Sequence, residues 1–231
     1  MSSGLASDSM SVRSPHLRFL LQLAFCDERM LTSKLRNDIR QVMRREDGII
    51  GGDGADFHSP FWSEAKSIIR PGFSFADAIE ARIEASRQRH RLYPLLRDGF
   101  LDWWNANWRG VNEPLSLADG HLSGVYEDAV NGINVKVENM FVFRVGQTAL
   151  HAVYPYFSEE PVLSAQAARV GLWLIHETLP NLVFENVEIL DVLRGTAFSI
   201  RTHPLQGDEH DIYQHHVRRV LRRWDELRAT Y

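Results

Sequence analysis

The sequence predicts an α+β fold: a helical N-terminal region followed by a small mixed β-sheet flanked by helices. Three observations predict it. Apolar residues recur at three- and four-residue spacing through most of residues 16–108. After Asn131-Gly132 the spacing falls to two, the period of a strand with one buried face. Helical spacing then returns over residues 163–175 and again over residues 208–228.

The N-terminal elements follow in order. Leu17, Leu20, Leu21, Ala24 and Phe25 share one face of a helix expected over residues 16–30. Thr32 is the expected cap of a second helix with the stripe Leu35, Ile39, Val42 and Met43. Its other face is basic, with Lys34, Arg36, Arg40, Arg44 and Arg45, and Asp47-Gly48 ends it. Ser59-Pro60 starts a short helix, because proline suits a first turn. Ser74 and Asp77 read as a capping box. A long helical stretch follows toward Trp108, with a break expected near Pro94. Its middle carries Arg82, Arg87, Arg89, His90, Arg91 and Arg97.

Two segments invite sharper readings. Glycines 48, 51, 52 and 54 suggest a phosphate loop, but no Gly-Lys-Ser/Thr follows, so a flexible connection is expected. Trp103, Trp104 and Trp108 lie within six residues and are flanked by arginines, as in a base-stacking platform. Trp104 and Trp108 also share a helix face with Phe100 and Leu101, and core packing is the favoured reading.

Residues 110–119 read as a loop and a domain boundary, separating a helical region over 15–110 from an α/β core over 120–231. Ile133, Val135, Val137, Phe141, Phe143 and Val145 form one buried face of a strand or a pair of strands. Gly146-Gln147 turns into a further strand over residues 148–157. Ser164 opens a helix with Leu163, Ala167, Val170, Gly171, Leu174 and Ile175 inward. Residues 187–192 and 196–201 form a hairpin across Arg194-Gly195. The last helix turns Val217, Val220, Leu221, Trp224 and Leu227 inward, leaving Arg218, Arg219, Arg222 and Arg223 outward.

Composition bounds the function. A chain of 231 residues can bury roughly 70% of its unfolded surface without staples. A formal net charge of -4 argues against coating nucleic acid by bulk charge but allows a local basic patch. The single cysteine, Cys26, excludes an internal disulfide and sits in an apolar run, as a core residue would. The first fourteen residues are polar and serine-rich, and read as a disordered tail with no signal-peptide core. No run approaches the ~20 apolar residues of a membrane span. A cytoplasmic protein with no membrane partner is therefore expected.

Chemistry-bearing motifs are sparse. No nucleophile elbow and no dinucleotide-binding glycine pattern occur. His210 with Glu209, Asp211 and Gln214 could clip a metal, but helix capping explains the same residues, so no metal site is assigned. Arg218, Arg219, Arg222 and Arg223, spaced i, i+1, i+4 and i+5, form a ridge that could contact phosphates.

The element order over residues 122–200, helix then strands, a helix and a strand, resembles the core of the PD-(D/E)XK nuclease-like superfamily. The resemblance covers under half the chain. It implies one acid at the end of a core strand and an acid-x-lysine on the next, holding a divalent metal. The first acid would fall near Glu138-Asn139. The next strand reads Leu150-His151-Ala152-Val153-Tyr154-Pro155-Tyr156 and has neither acid nor lysine. The resemblance thus implies a core without its catalytic pattern, kept for binding or scaffolding.

The expected function is a non-catalytic nucleic-acid-associated or accessory protein, using Arg218, Arg219, Arg222 and Arg223 and no cofactor. The alternative is a metal-dependent nuclease or hydrolase with a migrated site around Glu138 and His151, which would need a divalent metal. A third is a subunit whose tryptophan-rich surface is buried against a protein partner or a second copy.

Overall fold

The computed structural model describes residues 11–48, 57–118 and 120–231. Its centre is a mixed five-stranded sheet in the order β1 (Leu115–Leu117), β4 (Phe141–Val145), β5 (Ala149–Tyr156), β6 (Val187–Asp191) and β7 (Thr196–Ser199). β4 and β5 form an antiparallel hairpin, and β6 and β7 form another. β5 and β6 are parallel, which requires a crossover. Helix α6 (Ala165–Thr178) supplies it, with Ser164 accepting the Ala167 N–H at its start. The remaining strands, β2 (Gly124–Asp128) and β3 (Ile133–Val137), make a separate two-stranded ribbon.

Side-chain alternation gives the main sheet two apolar faces, and both are covered. α3 (Ser59–Lys66), α4 (Phe75–Glu84) and α5 (Leu92–Asn107) pack on Phe141, Phe143, Val153 and Leu190. α1 (Leu17–Phe25), α2 (Glu28–Glu46), α6 and α7 (Glu209–Arg228) pack on Ala152, Tyr154, Val187 and Ile189, together with the β3 residues Ile133, Val135 and Val137. The helical region expected over 15–110 is thus divided between the two faces. The fold is α+β, as the change of period predicts.

Close approach is set by glycine. A Cβ on Gly171 of α6 would lie 2.5 Å from Ile189 Cδ1, so the helix seats directly on β6. A Cβ on Gly99 of α5 would lie 2.2 Å from the Val192 carbonyl oxygen, so α5 meets the β6–β7 turn backbone to backbone.

Several expectations change. Asp27, not Thr32, caps α2, accepting the Met30 N–H at 2.7 Å. A carboxylate at a helix N-terminus also gains from the helix dipole, and Thr32 falls inside α2. The helix expected over 16–30 accordingly ends at Phe25. Residues 11–14, placed in a polar tail by composition, pack against the body: Val12 is buried, and the Asn134 N–H donates to the Arg13 carbonyl at 3.0 Å. The break expected near Pro94 lies just before it, and Pro94 sits in the first turn of α5, where its missing N–H costs nothing. The expected loop over 110–119 contains β1. Residues 133–145 are two strands in two different sheets, parted at Asn139, whose φ is 63°. The glycine-rich segment lies outside the described residues beyond Gly48. Among the described residues, no helix is long and apolar enough to cross a membrane.

Candidate nucleic-acid interface

The four ridge arginines of α7 divide into two pairs. Arg218 and Arg222 are exposed, and Arg222 meets no carboxylate among the described residues. Arg218 donates to Gln214 Oε1 at 3.4 Å. Arg219 turns inward. Its Nη2 donates to the carbonyls of Leu23, Ala24 and Cys26 at 3.3, 3.1 and 3.1 Å, capping the C-terminal end of α1, and its Nη1 pairs with Glu28 at 3.4 Å. Arg223 donates to Thr32 Oγ1 and pairs with Glu226 at 3.0 Å.

Those inward contacts bring a second row of arginines alongside. Arg219 reaches Glu28 and Arg223 reaches Thr32, so the side of α2 carrying residues 28 and 32 abuts α7. Arg29, Arg36 and Arg40 follow on the solvent side of that contact row, at spacings of seven and four that keep them on one stripe. All three are exposed, and none has a carboxylate partner among the described residues. Arg40 instead donates to the Arg36 carbonyl at 3.1 Å. The result is one face with Arg29, Arg36 and Arg40 on α2 and Arg218 and Arg222 on α7, interrupted by Glu28 and Glu226. Arg29 and the link to α7 gave no local sequence signal, because helix pairing is a tertiary fact.

The other arginine-rich stretch does not join this face. α4 and α5 cover the opposite side of the sheet from α7. Arg82 pairs there with Glu64 at 2.7 Å, Arg91 with Glu159 at 2.5 Å, and Arg97 with Glu80 and Asp98. The tryptophans are also accounted for. Trp103 and Trp104 are buried and Trp108 is half-buried, with Trp104 and Trp108 edge-on to Phe143.

Glu138 and His151 are not brought together. Glu138 lies in a cleft bounded by α3, the start of α1 and the ends of β3 and β5, where its Oε1 lies 2.9 Å from His16 Nδ1. His151 points to the opposite face of β5 from Tyr154, which lines that cleft. There His151 packs edge-on to Trp108 and stacks on Phe143, and burial holds its imidazole below the ordinary histidine range. An acid on its side of the sheet is Glu188, whose carboxyl is buried and raised by that burial against the pull of the Trp103 indole and Arg201.

The described residues of the cleft do not make up a set of ligands for a divalent metal. Glu138 is the single carboxylate among its described lining residues. No group of three or more His, Cys, Asp or Glu among the described residues could hold a metal ion. Near His210, Glu209 is occupied by the Gln206 and Gly207 N–H groups and by Arg169. Cys26 is buried, and burial pushes its thiol up, away from thiolate chemistry.

No family model and no curated protein matches this chain.

Proposed function

We propose that the protein binds nucleic acid through the arginine face of α2 and α7 and leaves the strand uncut. The observation that carries this reading is the pairing of the two rows. Five exposed guanidinium groups stand on adjoining sides of two packed helices, none of them neutralised by a carboxylate among the described residues. Guanidinium groups match phosphate oxygens in a bidentate fork, and each contact releases counterions. Such a face contacts the backbone and carries no base code of its own. The net charge of -4 favours a local contact over a coat along the duplex.

The absence of cleavage rests on the donor set. Where the nuclease-like resemblance implies an acid and a lysine, β5 carries Tyr154-Pro155-Tyr156, and both tyrosines are buried.

Fluorescence anisotropy with labelled duplex and single-stranded DNA and RNA tests both parts, at low and physiological salt with magnesium, with end points run on a denaturing gel. The expected result is binding that weakens steeply with salt and leaves the strands intact. Arg36→Glu and Arg222→Glu should each lower the salt slope by about one unit. Absence of binding at low salt overturns the interface, and cleavage overturns the non-catalytic assignment.

A further inference from the structure

The cleft that holds Glu138 is separate from the arginine face and has a chemistry of its own. Its volume is about 560 Å³, and an adjoining depression of about 440 Å³ shares Lys66, His121, Glu138 and Asn139 with it. Spaces of roughly 300–1,000 Å³ are the size that small ligands fill. The walls carry the cations Arg18, Lys66 and Lys136, and Arg70 lines the adjoining depression. Glu138, already engaged by His16, is the one carboxylate among the described lining residues, and Arg18 and Lys136 have partners of their own.

Lys66 is the telling residue. It leaves the last turn of α3 half-buried, and it meets no carboxylate among the described residues. Burial lowers its ammonium pKa. A partly dehydrated cation lacking a counter-charge is costly, and an anion from solution would relieve the cost. The surrounding donors differ in kind: an ammonium, guanidinium groups, the Ser63 hydroxyl and the Asn139 amide. Several donors converging from different elements suit an anion with three or more oxygens better than a two-oxygen carboxylate. Asn139 is held in place for this by a left-handed backbone and by the Trp62 indole N–H, which donates to its carbonyl at 2.7 Å.

We propose that this cleft is a phosphate site, with Lys66 as its central anchor, taking the phosphoryl group of a small phosphorylated ligand. The same chemistry could be met by the terminal phosphate of a nucleic-acid strand, and the experiment separates the two sources.

The test is isothermal titration calorimetry of the full chain at fixed ionic strength. The probes are inorganic phosphate, pyrophosphate, and a short DNA strand with and without a 5′ phosphate. Pyrophosphate is expected to bind, and Lys66→Met to weaken it roughly ten- to hundredfold, the worth of one charged hydrogen bond. Arg36→Glu and Arg222→Glu should leave that affinity unchanged, so the site and the arginine face fail or succeed independently. If the free anions give no heat but the 5′-phosphorylated strand outbinds its unphosphorylated twin in a Lys66-dependent way, the site stands and its phosphate is a strand terminus. Thermal melting checks that Lys66→Met is folded, and Lys66→Gln repeats the measurement with a polar side chain. No binding of any probe, or binding that neither Lys66 variant weakens, overturns the proposal.

Discussion

Nε1 of Trp224 donates a 2.8 Å hydrogen bond to Oδ2 of Asp38, and that bond fastens α7 to α2. Asp38 is only 5% exposed, and burial raises its carboxyl pKa against the pull of the Trp224 indole, the Val12 N–H and Arg45. Trp224→Phe keeps most of the packing and removes the donor. It should cost about 1–3 kcal/mol in urea denaturation, because a buried carboxylate loses a partner. The cost should be larger at neutral pH than in acid. A carboxyl with a raised folded pKa is ionised, and penalised, only above that pKa, so protonation in acid removes the charge that needs the indole.

The four α7 arginines should separate by measurement. Arg219→Ala uncaps the Leu23 and Ala24 carbonyls of α1 and that of Cys26 just after it, and should lower stability by about 1–3 kcal/mol. Arg218→Ala and Arg222→Ala touch exposed side chains and should stay within about 0.5 kcal/mol. Nucleic-acid affinity should follow the reverse pattern once folding is controlled by denaturant titration. Equal stability effects at all four positions would contradict this division.

His216 makes the protein sensitive to acid. Its ring packs on Phe25 at 4.5 Å between centroids, and burial, then Arg219 and His215, push its pKa down to about 4 from 6.5, with only the Ala24 backbone hydrogen bond pulling up. A histidine depressed in the folded state takes up its proton more readily when unfolded. Its contribution is intact above about pH 6.5 and is lost as pH falls toward about 4. His216→Phe keeps a ring against Phe25 without titrating. Thermal melting of this variant between those limits should fall less steeply with acid than that of the parent.

Gly99→Ala should be among the most damaging small substitutions. Its methyl would meet the Val192 carbonyl oxygen at 2.2 Å and the Leu193 carbonyl oxygen at 2.7 Å, both backbone atoms that cannot swing aside. Overpacking of this kind costs about 1–3 kcal/mol or more. Circular dichroism melting should register a drop of several degrees, whereas Gly110→Ala, with nothing within 4 Å of the added carbon, should change little.

Local chemistry made much of the fold legible. Pro60 in the first turn of α3, Ser74 and Ser164 as caps, and the inward stripe of α7 all act within one turn of helix, where sequence spacing is spatial spacing. The division of residues 133–145 between two sheets was not legible. Alternation reports which side of a strand is buried, never which strand lies beside it. β2 escaped because its apolar positions, Val125 and Tyr126, are adjacent and not fully buried. The candidate sites were legible only as ingredients. Arg219 and Arg223 had the spacing of surface residues, yet their partners Leu23, Ala24, Cys26 and Thr32 all lie more than 190 positions away. Lys66 shares a cleft with Arg18 and Lys136 only because α3, α1 and β3 converge there.

The unequal makeup of the two helical layers gives the molecule an optical asymmetry. Of its six tryptophans, Trp62, Trp103, Trp104 and Trp108 belong to the α3–α5 layer, and only Trp173 and Trp224 to the layer that carries the arginines. Trp103 and Trp104 lie 6.0 Å apart, close enough for their excited states to exchange energy. Total ultraviolet emission therefore records mostly the silent side of the sheet. Events at the α2–α7 face enter that light chiefly through Trp224, the indole that holds the two helices together.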